Sequence, residues 1–273
     1  MNGPIRLLPN RAIIGMVHLA PLPGSPAAQR PLSRIIQAAC EDARLLADAG
    51  FDALIVENFG DAPFRAATVD PHTVAAMTMV VRAVMAAVSL PVGVNVLRND
   101  ALAAVAIATV CGAAFVRVNV HTGVYAADQG LIEGRADDTL RYRRRLAGGA
   151  GTDPIAPMPA VFADVHVKHA MPLAAQPIAQ AAAETAYRGR ADGLIVSGVA
   201  TGKPTDPTDL AAVRAAVPDR PIYVGSGATP ETVAELLVAA DGVIVGTAIK
   251  QGGVTTAPVD SARAAALVKA ARR

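Results

Sequence analysis

An α/β fold, closed into a single (β/α)8 barrel over residues 1–273, is predicted by three observations. The chain has 273 residues, close to the roughly 250 that one such barrel occupies. Short apolar runs alternate with segments of helical periodicity along its whole length, an order that builds a parallel sheet. The polar residues of those runs gather at their C-terminal ends, where a TIM barrel keeps its site.

Taken in order, Ile13 to His18 is an apolar run ending in an imidazole, followed by the turn-rich stretch Ala20-Pro21-Leu22-Pro23-Gly24. Leu32 to Ala49 has helical spacing and stops at Gly50, a normal residue just past a helix end. Ala53 to Asn58 is the second strand, Asn58 to Asp70 a loop, and Pro71 opens a helix to Val88. Val92 to Leu97 carries Asn95, Asp100 caps a helix to Cys111, and Phe115 to Val120 is the fourth strand. Thr122 to Arg135 reads as a long loop, followed by a helix to Leu146 and a Gly/Pro connector from Gly148 to Pro159. The fifth strand, Val161 to His169, precedes an Ala-rich helix from Gln176 to Arg188. Gly193 to Ser197, Pro221 to Gly227 and Gly242 to Thr247 complete the set. Helices follow from Thr208 to Ala216, from Thr229, and from Asp260 to Arg272. No internal repeat is expected.

Composition narrows the function classes. Hydrophobic residues make up 52% and charged residues 18%, enough for a large core. Aromatics are 3% with no Trp, so that core is expected to be built from Ala, Val, Leu and Ile. A net charge of +2 is too small to argue for a nucleic-acid partner. Arg141-Tyr142-Arg143-Arg144-Arg145 reads as a solvated helix face. Cys40 and Cys111 have no companion ligands, which argues against zinc or a disulfide framework and for a reduced, cytoplasmic setting. Met1 to Pro9 lacks the apolar segment of a signal peptide, and the run from Ala101 to Val116 is too short to span a bilayer.

The fifth strand carries the strongest chemical signal. Along a strand alternate side chains share a face, so Asp164, His166 and Lys168 are expected to point together into the barrel mouth. The fourth strand repeats the pattern with Arg117, Asn119 and His121. His18, Glu57, Asn95 and Ser197 fall at the ends of other strands. Any one of them is equally well a hydrogen-bonded interior residue, but burying the whole set without partners or ligand is too costly. The turn Gly225-Ser226-Gly227 and the end of the last strand at Gly246-Thr247 offer backbone N–H groups where such barrels hold phosphate. Gly198-Val199-Ala200-Thr201-Gly202-Lys203-Pro204 is one residue short of a P-loop, with Pro204 in place of the metal-binding hydroxyl. It is read as an active-site loop bringing Lys203 to the ligand.

Seven segments in order resemble the BtpA/SgcQ family. They are Ile14-Gly15-Met16-Val17-His18-Leu19-Ala20-Pro21-Leu22-Pro23-Gly24, Glu57-Asn58-Phe59-Gly60-Asp61, Gly93-Val94-Asn95-Val96-Leu97-Arg98-Asn99, Arg117-Val118-Asn119-Val120-His121-Thr122-Gly123, Asp128-Gln129-Gly130, Asp164-Val165-His166-Val167-Lys168-His169, and Ser197-Gly198 through Thr201-Gly202. The resemblance covers nearly the whole chain and implies a barrel of the ribulose-phosphate-binding type. It also implies two functional settings: photosystem I biogenesis with peripheral association to photosynthetic membranes, and carbohydrate utilisation by a sugar-phosphate enzyme.

Two readings stay open. In the first, the chain is an enzyme for a small phosphorylated substrate, working by isomerisation, epimerisation or bond cleavage. Asp164 or Glu57 is the general base, His166 the partner acid, and Lys168 stabilises an oxyanion or, less favoured, forms a Schiff base. Asn119 and His121 complete the catalytic set, while His18, Asn95, Arg117, Ser197 and Lys203 bind substrate. A divalent metal on Glu57, Asp164 and His166, with His18 as a further ligand, is a variant of this reading. In the second, the chain is a non-catalytic assembly factor. Small-residue-rich barrel helices predict a homo-oligomer under either reading.

Overall fold

The computed structural model describes residues 7–148, 157–198 and 205–273. Runs such as Ala53-Leu54-Ile55-Val56-Glu57 and Gly193-Leu194-Ile195-Val196 are buried along their whole length, as strands of a sheet covered on both faces must be. Among the described residues the strands are β1 (Ala12–His18), β2 (Ala53–Glu57), β3 (Val92–Asn95), β4 (Phe115–Val118), β5 (Val124–Ala127), β6 (Gly130–Glu133), β7 (Ala160–Val165), β8 (Ala170–Pro172), β9 (Gly193–Val196), β10 (Ile222–Val224) and β11 (Gly242–Val245). Eight of them close into a parallel barrel in the order β1-β11-β10-β9-β7-β4-β3-β2. Outside it lie α1 (Leu32–Ala49), α2 (Pro71–Ala87), α3 (Ala101–Cys111), α4 (Ala136–Leu146), α5 (Ile178–Ala183), α6 (Pro207–Ala216), α7 (Val233–Ala239) and α8 (Ser261–Ala271). Helix α5 runs on into a π-helical turn, Glu184–Arg188. The architecture is that of a TIM barrel.

Two cores follow from strand alternation. Outward residues such as Val56, Val94, Val116 and Val161 pack under the helices in one large aliphatic cluster. Inward residues form a second cluster, aliphatic for the most part as expected, but with the rings of Phe115, Phe162 and Tyr223 on the barrel floor. Their rings stack in series, with centroids 4.8 Å and 4.9 Å apart. Space for them comes from inward glycine. A Cβ on Gly93 would stand 2.2 Å from the Phe115 ring, well inside van der Waals contact, so no larger residue fits there.

The face below the floor holds one device used three times. Asp52, Asp192 and Asp241 each immediately precede a strand, in Phe51-Asp52-Ala53-Leu54-Ile55, Ala191-Asp192-Gly193-Leu194-Ile195 and Asp241-Gly242-Val243-Ile244. Each carboxylate accepts the backbone N–H of the neighbouring strand, from Ile13 at 2.7 Å, Val161 at 2.8 Å and Ile222 at 2.9 Å. Each also pairs with an arginine: Arg272, Arg143 and Arg214 respectively. These clamps fix strand register at the end of the barrel away from the site.

The stretch 122–135 is not a loop. Strands β5 and β6 form an antiparallel hairpin, and β8 adds to β5 on its other side. The signal was in the sequence: a run rich in β-formers, the turn Asp128-Gln129-Gly130, and a second apolar run. Gly130 has φ +98, a left-handed conformation that glycine adopts without strain. The inner face of this small sheet, Tyr125 and Ile132, packs on Val120 and Val167. Most of the expected connector 148–159, and the loop carrying Lys203, lie outside the described residues.

Candidate functional site

The strand ends surround a cavity of about 660 Å³ at the C-terminal face of the barrel. Its walls include His18, Glu57, Arg117, Asn119 and Lys168 on one part of the ring, and Gly225–Gly227 with Gly246–Thr247 on another. Of the residues that strand alternation turns inward, Glu57 and Arg117 reach this cavity.

At its base, Asp164 is locked. Its carboxylate accepts from Arg117 Nε and Nη2 at 3.2 Å and 3.1 Å on one oxygen, and from Arg117 Nη2 at 3.1 Å and Asn119 Nδ2 at 2.6 Å on the other. Asn95 Nδ2 donates to Asn119 Oδ1 at 3.3 Å and to the Arg117 carbonyl at 3.2 Å. Burial alone would weaken the Arg117 proton affinity, but Asp164 and Glu57 outweigh it and hold the guanidinium charged. With both oxygens committed, Asp164 is a positioning group for Arg117 and Asn119, not a free base.

Glu57 is different. Among the described residues no hydrogen bond holds its buried carboxylate, and the nearest basic nitrogen is His18 Nε2 at 3.7 Å. Burial pushes its proton affinity up; Arg117 and Lys168 oppose the shift and Asp164 adds to it. His18 moves the other way: burial, then the cation of Lys250, hold it down to about 3. The ring is neutral, so its contact with Glu57 is not an ion pair. His18 Nδ1 lies 3.2 Å from the Thr255 carbonyl, which can only accept, so Nδ1 carries the proton and Nε2 presents a lone pair to Glu57. The two form a matched pair, a carboxyl able to gain or lose a proton beside a fixed acceptor.

Lys168 lines the same cavity, and its hydrogen bond is to the Gly225 carbonyl at 3.4 Å. Burial, then the charge of Arg117, bring its ammonium down to about 8. Across the cavity the turn after β10 needs glycine: a Cβ on Gly225 would stand 2.3 Å from Ser197 Oγ and 2.7 Å from Ile195. Gly227 has φ +81, and no acceptor among the described residues takes the N–H groups of Gly227 or Ala228. The Ser226 hydroxyl faces away, accepting from the Gly198 N–H at 3.0 Å. Thr247 opens a 3-10 turn, Thr247–Ile249, whose first N–H groups lack an intrahelical partner.

Three expectations are corrected. Strand β7 ends at Val165, and His166 takes φ +50, so alternation stops there. The ring of His166 turns out of the mouth and lies edge-on to Tyr125, 6.3 Å between centroids. His121 likewise falls beyond β4; its Nε2 is 2.8 Å from the Gly189 carbonyl, buried against the turn after α5. Ser197 sits behind Gly225 and does not line the cavity. The proposed ligand set of Glu57, Asp164 and His166 is accordingly not brought together, and no group of three metal-ligating side chains is found among the described residues.

Two contributors escaped sequence reasoning because their roles are side chain to backbone. Asn58 accepts the Leu97 N–H at 2.6 Å and donates to the Leu97 carbonyl at 3.2 Å, replacing a ladder pair beyond the end of β3. That clamp sets Arg98, a buried cavity-lining guanidinium whose Nη2 donates to the Lys168 carbonyl at 2.5 Å. Asn99 does the same for β4, bonding both backbone groups of Val120 at 2.9 Å and 2.7 Å.

The comparisons agree with this architecture. Photosystem I biogenesis protein BtpA from Synechocystis is 46% identical over 258 residues, covering 94% of this chain and 87% of the relative. The sgc region protein SgcQ of Escherichia coli is 34% identical over 257 residues, covering 93% and 91%. Among solved structures, tryptophan synthase of Mycobacterium tuberculosis superposes with a TM-score of 0.61 at 18% identity, covering 97% of this chain and 93% of that one, a likeness of fold alone. The BtpA family model matches residues 9–273, and the chain belongs to the BtpA family.

Proposed function

We propose that the chain, as one domain, is an enzyme for a small phosphorylated substrate, a sugar phosphate or close analogue. One observation carries the reading: the Glu57–His18 pair opens into the same cavity as the glycine turns after β10 and β11. The phosphate would rest on the N–H groups of those turns. Glu57 would move a proton to or from the carbon or oxygen beside the reacting carbonyl, with His18 Nε2 as its partner. Arg117, held charged by Asp164, would stabilise negative charge as it develops. Of the two carboxylates first expected as base, Glu57 keeps the role, and the partner role first expected of His166 passes to His18.

The test is a thermal-shift titration with a panel of phosphorylated sugars and their unphosphorylated counterparts. Stabilisation by a phosphorylated member alone, diminished in Gly227→Val and kept in the exposed-face control Arg141→Ala, is the expected result. No shift with any phosphate refutes it and favours a second reading, an assembly factor of the kind named by the Synechocystis relative. Among the described residues no helix is long and apolar enough to cross a membrane. A homo-oligomer packed through α2 and α3, which expose Met79 and Val110, belongs to either reading.

A further inference from the structure

Only four of the 25 Lys and Arg residues are lysines: Lys168, Lys203, Lys250 and Lys269. Most of its positive charges are arginines, which stay protonated at any ordinary pH; lysine differs in that its amine can be freed. Among the described residues Lys250 is buried and Lys168 is half-buried in the cavity wall, and their surroundings contrast. Lys250 is 1% exposed and neutralised by Asp42 at 2.6 Å, whose other oxygen accepts from Val259 N–H. It is a structural cation. Lys168 has no carboxylate within 4.0 Å among the described residues, and its single hydrogen bond there, to Gly225, is long. Its charged neighbours are the guanidinium groups of Arg117 and Arg98, opposed by the carboxylates of Asp164 and Glu57, and burial tips the balance against the ammonium. A half-buried lysine in a cavity wall, beside two guanidinium groups and with no carboxylate in direct contact, is placed to lose its proton more readily than a paired one.

We infer that Lys168 is a nucleophile that forms an imine with the carbonyl carbon of its substrate. The inference rests on the reading of the cavity as a phosphate-substrate site and narrows the substrate to a phosphorylated aldehyde or ketone. The free Nζ attacks the carbonyl carbon, forming a C–N bond while the carbonyl oxygen takes a proton from the Glu57 carboxyl. The nitrogen of the carbinolamine returns one proton to Glu57, which passes it to the hydroxyl; water leaves, and an iminium remains with Glu57 as the carboxylate. Overall one free amine, one carbonyl and the Glu57 proton give one iminium and one water, with no change in oxidation state. The iminium then withdraws electrons from the adjacent carbon, where Glu57 and His18 can take a proton. The depression of the Lys168 ammonium to about 8, caused chiefly by burial, agrees with this use of the amine.

Two measurements test it. In the first, the full-length protein is incubated with dihydroxyacetone phosphate, reduced with borohydride and digested for mass spectrometry. A reduced adduct at Lys168 at least tenfold above the exposed Lys269 is expected, with loss of labelling there in Lys168→Arg and slower trapping in Glu57→Gln. No adduct at Lys168, or an equal one at Lys269, overturns the inference. The second needs no phosphate and no variant: reductive methylation by formaldehyde and borohydride followed across pH. Lys168 is expected to reach half-maximal labelling near pH 8, and failure to label before pH 10 overturns the inference. A phosphate-dependent thermal shift without imine trapping removes this inference and leaves the proposed function standing. Early methylation of Lys168 and trapping with the probe, but no thermal shift by any phosphate over its unphosphorylated counterpart, does the reverse.

Discussion

Asp164→Asn tests the polar base of the cavity. The substitution is nearly isosteric and removes one charge from a pair whose side chains are 3% and 0% exposed. Arg117 is left buried with its nearest carboxylate gone and only Glu57 to offset it. Breaking a buried pair from one side costs about 3–5 kcal/mol, or roughly 10 °C in Tm for a protein of this size. The comparison is Asp137→Asn, which breaks the Arg141–Asp137 pair at 2.7 Å, both side chains more than 70% exposed; such pairs are worth about 0–1 kcal/mol. Replacing both partners, Arg117→Met with Asp164→Leu, is expected to recover most of the loss. About 1 kcal/mol should stay missing, because Asn119 no longer has the acceptor of its 2.6 Å bond. The assay is urea and thermal denaturation of the four proteins. If Asp164→Asn costs no more than Asp137→Asn, the account of a locked buried pair is wrong.

Three other outcomes follow from the same geometry. The Glu57 carboxyl has its proton affinity raised above the unfolded value of 4.5, so its contribution is present in full below that pH and is lost as pH rises through the folded value. Glu57→Gln should therefore gain in Tm relative to wild type between pH 5 and pH 8; a difference that is flat or reversed counts against it. His18 runs oppositely: with its value lowered from 6.5 to about 3, stability falls as pH drops through 6.5 toward 3, by at most about 5 kcal/mol. Its imidazole nitrogen shifts should report a neutral ring with a proton on Nδ1 at pH 5, and a titration near 6.5 would refute the assignment. Gly225→Ala forces a methyl against Ser197 and Ile195 and should cost about 1–3 kcal/mol by overpacking, measured by denaturation. A variant as stable as wild type would mean that the turn is looser than described.

The barrel was legible because its parallel strands are short, mostly apolar runs bounded by turn residues, and because they alternate with segments long enough for helices. What alternation predicts, it predicts only while the strand lasts. Glu57, Asn95, Arg117 and Asp164 lie within their strands and face inward as expected. His121 and His166 lie just past a strand end, where the chain turns, and both face elsewhere. Lys168 is also past the end and reaches the cavity, but through the turn set by residues 166–169, two of them with positive φ, rather than through strand periodicity. The aromatic floor was missed for a different reason: composition counts rings but cannot say that the few present converge on one layer beside inward glycines. The amide clamps of Asn58 and Asn99 leave no periodic trace at all.

The small sheet of β5, β6 and β8 joins the segments that follow two neighbouring barrel strands, β4 and β7. In an undecorated barrel those segments would drift separately; here they are stitched into one tile whose underside rests on Val120 and Val167. Any outward swing of that part of the rim must drag Lys168 and its neighbours along as a block. Changes on the tile's outer face, around Leu131 and Met171, are therefore a route by which the amine could be retuned without touching the cavity wall.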